Sequence, residues 1–378
     1  MIIISMITKT QFIRRRGLSP QLTLGLIAGV MLTGIAINYF TRAATTSTLR
    51  ELPSPLYGVT ADDVSSTSNL VAAAEHFAKK PITRIVFDEG TTPADYTAAV
   101  NQLQPSSYLM GELADSQYLA AMSTQQYHDR TASFLAAFGD KLDLWEIGNE
   151  VNGDWTGPYA TVSAKITDAY NQVSAAGRRS ALTLWYNPNC AGSTSELGPV
   201  EFSQNYVPAA MRTGLNYVFI SYYETQCNNY RPSAATLTTL FTQLHQLYPN
   251  AKLGFGEIGL PNAATSSTLA KATDIATYYY NLSINLSYYV GGYFYWYYAE
   301  DAIPYTTKPM WQTLNNLFQT MPVPGTSRTG DVNHDGTVNV FDLSTLLSKW
   351  QTTDPATDIN HDGTVNIFDL SLVLSNWG

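Results

Sequence analysis

At 378 residues, 45% hydrophobic and only 13% charged, the chain has room for one large core and something small beside it. A net charge of −9, with no basic patch beyond the N-terminus, argues against nucleic acid as a partner. The 25 Tyr and 7 Trp suit large cores and amphipathic rims, and those on loops also suit stacking against sugar rings.

Residues 1–44 read as a targeting segment. Lys9, Arg14, Arg15 and Arg16 precede an uncharged apolar run from Leu22 to Phe40, and Thr41, Arg42, Ala43 and Ala44 then offer small residues to a signal peptidase. The same run is long enough to stay in a bilayer as an anchor, with the positive cluster inside. Both readings take the protein out of the cytoplasm, as a secreted or as a membrane-tethered surface protein.

After a spacer at 45–55, strand-like and helix-like segments alternate. Strands are expected at 56–60, 83–89, 107–113, 142–150, 180–189, 216–224, 252–259 and 290–299. Amphipathic helices are expected at 68–79, 94–103, 124–138, 159–176, 233–247, 266–286 and 309–321, with 193–213 irregular. This alternation predicts an α/β fold, a (β/α)8 TIM barrel over residues 56–321. Cys190 and Cys227 follow neighbouring strands, so both fall on loops at one face of the sheet. In an exported protein a disulfide between them is expected.

Active sites of such barrels sit at the carboxyl ends of the strands. The stretch Leu142–Trp155 (LDLWEIGNEVNGDW) is an apolar strand that ends in Asn149 and Glu150, and the strand at Lys252–Leu260 (KLGFGEIGL) carries one carboxylate, Glu257. Strand ends four and seven face each other across a barrel mouth. Glycoside cleavage needs a carboxylic acid to protonate the leaving oxygen and a carboxylate to attack, about 5–5.5 Å apart in a retaining enzyme. Glu150 is the expected acid/base and Glu257 the expected nucleophile, with Glu224, ending strand six, as the rival to Glu257. Trp155, in the loop after Glu150, is a candidate for sugar stacking. With no zinc spacing, phosphate-cradling glycine loop or G-x-S-x-G elbow in the sequence, no catalytic cofactor is expected.

An Asn-Glu pair ending strand four, a lone Glu ending strand seven and a Trp on strand eight resemble the clan of retaining glycoside hydrolases with (β/α)8 barrels that contains many β-glycanases and mannanases. The resemblance covers about residues 55–320. It implies that Asn149 hydrogen-bonds the sugar 2-hydroxyl, that Tyr222 or Tyr223 orients the nucleophile, and that Trp296 floors the subsite where the bond breaks. It further implies that Arg84 is a buried Arg beside the nucleophile. Asp88, Glu89 and Glu112 also end strands, and the pattern gives them no role.

Beyond a linker at 322–330 lies an internal repeat: Asp331, Asn333, Asp335, Gly336, Thr337, Asn339 and Asp342 recur as Asp358, Asn360, Asp362, Gly363, Thr364, Asn366 and Asp369. This is the grammar of an EF-hand loop, with oxygen ligands at positions 1, 3, 5, 7 (through the backbone carbonyl), 9 and 12, and Gly at 6 for the turn. Position 12 is Asp in place of the usual Glu, and His334 and His361, at position 4, are expected to point outward. Each loop runs into one short helix, at 341–350 and 368–377. The two units resemble a type I dockerin over residues 330–378. That resemblance implies a small all-α, EF-hand-like module that folds on calcium, two ions in all, and docks on a cohesin of a scaffold or cell surface. The positions beside the last ligand, small hydroxyl residues in the best-known cellulosomal dockerins, are here Val340, Phe341, Ile367 and Phe368.

The sequence thus points to a secreted or surface-tethered, endo-acting hydrolase of a β-linked polysaccharide with a docking module at 331–378. The alternative is a noncatalytic carbohydrate-binding or adhesion protein that keeps the barrel as scaffold.

Overall fold

The computed structural model describes residues 49–188, 190–262, 264–323, 329–333 and 338–378. The expected targeting segment lies outside them, as do Asp335 and Thr337 of the first acidic loop. Among the described residues no helix is long and apolar enough to cross a membrane.

Strands β1 (Leu56–Ala61), β2 (Ile82–Val86), β3 (Tyr108–Glu112), β4 (Leu144–Glu146), β5 (Ser180–Trp185), β6 (Tyr217–Tyr222), β7 (Lys252–Ile258) and β8 (Tyr289–Tyr295) pair in chain order. All pairs are parallel, and β8 returns to β1 through Leu56↔Gly291, which closes a TIM barrel. Several strands stop short of their expected carboxyl ends. The clearest case is β4, expected to reach residue 150: it ends at Glu146, and Glu150 takes a left-handed backbone (φ 44°) that no strand can continue.

Helices on the outside begin where the chain supplies caps. The helix Thr124–Phe138 opens on a capping box of Ser123 and Gln126. The irregular stretch folds into two short helices, Pro199–Tyr206 and Ala209–Gly214. The helix expected at 266–286 spans Leu269–Tyr280 instead. Asn281 caps it, and the Asn-Leu-Ser repeats that follow lose the helical spacing of apolar residues.

The barrel interior is layered. Ile82, Met110, Leu144, Ala181 and Phe219, on β2 to β6, belong to one buried apolar cluster. Two residues further along each strand come Arg84, Glu112, Glu146, Thr183 and Ser221, all fully buried. Since side chains alternate along a strand, each polar group points into the barrel directly above its apolar partner. The β6–β7 ladder shifts register between Ile220↔Phe255 and Ser221↔Glu257, a bulge at Gly256. Phe255 packs outward on Phe241, Tyr279 and Tyr293. The bulge therefore re-aims Glu257 inward, level with Ser221. A side chain at 256 would meet Thr183 Oγ1 at 2.8 Å and Phe219 Cβ at 2.9 Å, so only glycine fits this turn of the strand.

The C-terminal module has two helices, Val340–Ser348 and Ile367–Ser375, each opened by a capping box (Asn339 with Asp342, Asn366 with Asp369). Its small core is made mostly of valine: Val332, Val338, Val365 and Val373, with Leu346. Leu347 and Leu374, leucines at helical spacing, are about half exposed.

Candidate active site

A cleft of about 290 Å³ opens at the carboxyl ends of the strands, and Asn149, Glu150, Trp155, Tyr223, Glu257 and Trp296 line it together with Asp115, Ser116, Gln117, Trp185, Gln226 and Tyr297. Arg84 lies buried under its floor. Tyr222 is not part of it. Alternation on β6 turns Tyr222 toward the helices, where it is fully buried against Tyr186 and Tyr279 and donates to the Tyr230 carbonyl (2.6 Å). Glu224 is also turned away: both of its oxygens accept from Arg231 (2.7 Å each), and Tyr279 adds a third donor. The choice between Tyr222 and Tyr223 falls to Tyr223, and the rival carboxylate is committed to an ion pair.

Glu257 is surrounded by donors. Oε1 accepts from Arg84 (2.8 Å) and Asn149 Nδ2 (2.5 Å), and Oε2 accepts from the hydroxyls of Tyr223 (3.0 Å) and Ser221 (3.2 Å). Glu150 meets Ser221 at Oε1 (2.5 Å) and Ser116 at Oε2 (3.0 Å). Burial, and then the charge of Glu257, hold the Glu150 carboxyl well above its ordinary range, against the pull of the two serines. A carboxyl so placed keeps a proton to give. Its backbone, in the left-handed region, is the kind of local strain that concentrates at functional sites.

Trp155 follows on a short turn, its indole N–H donating to Ser116 Oγ (3.0 Å) and its ring edge-on to Trp185. On the opposite wall Trp296 lies over the guanidinium of Arg84, 4.8 Å from ring centroid to Cζ.

Beneath the cleft, Arg84 also faces Glu112 (3.4 Å) and Glu146 (3.3 Å), while Thr183 donates to Glu146. Burial works to neutralise Arg84, but Glu146, Glu257 and Glu112 outweigh it and hold the guanidinium charged. Burial also pushes Glu112 and Glu146 upward, with Arg84 opposing. A single guanidinium is thus shared by three acids. Sequence reasoning named Arg84 but passed over Ser116, Glu146, Thr183 and Ser221. The signal for the last three was present, a polar residue two places after an apolar one on three successive strands.

Cys190 and Cys227 are joined in a disulfide with Cα atoms 5.1 Å apart. The bond ties the loop after β5 to the loop that carries Gln226 into the cleft.

In the second acidic loop, Asp358 accepts the backbone N–H groups of Asp362 (3.1 Å) and Gly363 (2.8 Å), and Asp362 accepts that of Thr364 (3.0 Å). Asp369 Oδ1 accepts the N–H groups of Ile359 and Asn360, as Asp342 Oδ1 does from Val332 and Asn333 in the first loop. Among the described residues no three acidic, His or Cys side chains close on one point. The donors available are nonetheless all oxygen, from Asp358, Asn360, Asp362, the Thr364 carbonyl and Asp369. That set fits a hard cation such as calcium. In the first loop Asp331, Asn333, Asn339 and Asp342 are the described counterparts.

Residues 329–376 match the model of the dockerin type I domain family. No curated protein matches the chain. Solved structures that resemble it include a GH10 xylanase from Bispora sp. MEY-1 (11% identity, TM-score 0.49, covering 70% of this chain and 96% of that one). A GH113 β-1,4-mannanase (9%, 0.49, 71% and 100%) and a GH5-4 broad-specificity endoglucanase from an uncultured bacterium (12%, 0.47, 73% and 91%) are others. At such identity the likeness stops short of chemistry, which the side chains carry.

Proposed function

We propose that the protein is a retaining glycosidase that cuts a neutral, β-linked polysaccharide within its chain. The observation that carries this reading is that one hydroxyl, Ser221, touches both carboxylates. Legs of 2.5 and 3.2 Å through a single atom keep the two oxygens under about 6 Å apart, near the ~5–5.5 Å of retaining enzymes and short of the ~6.5–9.5 Å of inverting ones. Glu150 protonates the leaving oxygen while Glu257 attacks the anomeric carbon, and Glu150 then takes a proton from the water that releases the sugar. Asn149 and Tyr223 orient Glu257. Among the described lining residues none is Lys, Arg or His, which favours a neutral glycan over a uronate. Aromatic faces on opposite walls, Trp155 and Trp296, favour a chain that runs through the cleft.

The C-terminal module would hold two calcium ions, Asp331, Asn333, Asp335, Thr337, Asn339 and Asp342 around one and Asp358, Asn360, Asp362, Thr364, Asn366 and Asp369 around the other. The ions neutralise the loops, and the folded module docks on a cohesin-like scaffold outside the cell. Export through the N-terminal segment, cleaved or retained as an anchor, belongs to the same reading.

The test is a screen of the purified protein on mannan, xylan, β-glucans, cellulose, galactan and a polyuronate, with anomeric configuration followed by NMR. Release of sugar with retained configuration is expected from a neutral glycan. Glu257→Gln is expected to abolish it, and Glu150→Gln to cost about 10²–10⁴-fold on the polymer and much less on activated aryl glycosides. Binding without cleavage by the wild type would move the reading to a noncatalytic barrel.

A further inference from the structure

The donors around the two carboxylates fix all the hydrogen-bond directions except one. Arg84 and the amide nitrogen of Asn149 can only donate, so Glu257 Oε1 is an acceptor. The indole N–H of Trp155 can only donate, so Ser116 Oγ accepts there and turns its own proton outward. Its nearer acceptor is Glu150 Oε2 at 3.0 Å, against 3.5 Å to Asp115 Oδ1. Ser221, fully buried, is left with Glu150 Oε1 on one side, Glu257 Oε2 on the other, and a single proton to give.

We propose that Ser221 is a positioning residue whose hydroxyl turns between the two carboxylates in step with the reaction, donating to Glu257 before the glycosidic bond breaks and to Glu150 afterwards. The proposal rests on the glycosidase reading. At the start Glu150 Oε1 carries the acid proton and can give it to Ser221 Oγ, while the Ser221 proton rests on Glu257. The Glu150 proton then passes to the glycosidic oxygen, which leaves with the electron pair of its bond to the anomeric carbon. Glu257 bonds to that carbon and loses its charge. Negative charge now sits on Glu150, and the Ser221 proton swings to it. When Glu150 takes a proton from water, the new oxygen bonds to the sugar, Glu257 leaves with its pair, and the hydroxyl turns back. No proton crosses Ser221.

The test reads the carboxyls directly, by NMR titration of protein labelled with ¹³C at the glutamate carboxyl carbon, with Glu150 assigned through Glu150→Gln. Glu257→Gln stands in for the uncharged nucleophile. In that background Ser221 should donate to Glu150, so adding Ser221→Ala is expected to raise the Glu150 titration by about one pH unit. In the presence of Glu257 the same change is expected to move Glu150 far less. Ser221→Thr, which keeps the hydroxyl, is expected to restore the Glu150 titration. Equal shifts of Glu150 in the two backgrounds, or none, would overturn the switch. Because the readout needs no turnover, a protein that cleaves no glycan yet shows the switched coupling would sink the enzymatic reading and leave the hydroxyl's behaviour standing.

Discussion

The barrel mouth and the C-terminal repeat both bury acids, and they neutralise them by opposite means. In the barrel, one guanidinium serves Glu112, Glu146 and Glu257, and hydroxyls and an amide add further donors to Glu146 and Glu257. In the repeat, Asp342 and Asp369 are as fully buried, but the partners that hold them are backbone amides of their own loops. Charge in the first region is balanced from within the fold. On the proposed reading, charge in the second is left for calcium to balance, which would make folding of the module, and docking with it, conditional on the ion.

The comparison breaks most severely at Arg84. Arg84→Gln leaves three buried acids without their cation, and loss of one partner from a buried ion pair costs about 3–5 kcal/mol. Denaturant unfolding of the barrel should shift by that amount, turnover should vanish, and added calcium should rescue neither. Rescue by calcium would mean that the two regions are not distinct after all. Chelation is the converse and the smaller change: residues 331–378 should unfold while the barrel's transition stays where it was. Circular dichroism and calorimetry with and without chelator read this, and one unchanged profile would remove the metal from the argument.

The barrel and its two carboxylates were legible because periodicity and strand-end chemistry are local signals. Glu150 follows its strand as a polar break, and Thr124–Phe138 announces itself by spacing and cap. Tyr222 against Tyr223 could have been decided by alternation, since Phe219 and Ser221 share a face with Tyr223. Glu257 is the instructive case. Strict alternation would place it beside Phe255 on the outer face, and only the Gly256 bulge turns it inward. A bulge depends on the neighbouring strand's register, which the sequence does not carry. The same holds for Ser221, an unremarkable residue until β4 and β7 bring a carboxylate to each side of it. In the repeat, valines rather than leucines fill the core because the loops, not the helices alone, supply its inner face.

The smallest expected effect separates the two regions most finely. Glu112 is fully buried, neither of its oxygens has a hydrogen-bond partner among the described residues, and the nearest charge among them is Arg84 Nε at 3.4 Å. Burial outweighs Arg84 and holds this carboxyl well above its ordinary range. The folded protein therefore keeps a proton at a pH where the unfolded chain, titrating near 4.3, has released it. Stability from such a group is complete below the unfolded value and drains as pH rises toward the folded one, by at most about 1.4 kcal/mol per pH unit. Glu112→Gln keeps the shape and removes the titration. Its stability relative to wild type should then climb as pH rises above the unfolded value, as read by urea unfolding of the barrel at several pH values. Glu146 and Glu150, also raised by burial, keep some slope in both proteins. Parallel curves would mean that Glu112 is ionised in the fold and that Arg84 balances it as a true ion pair, which would make the barrel's interior more highly charged than its burial allows.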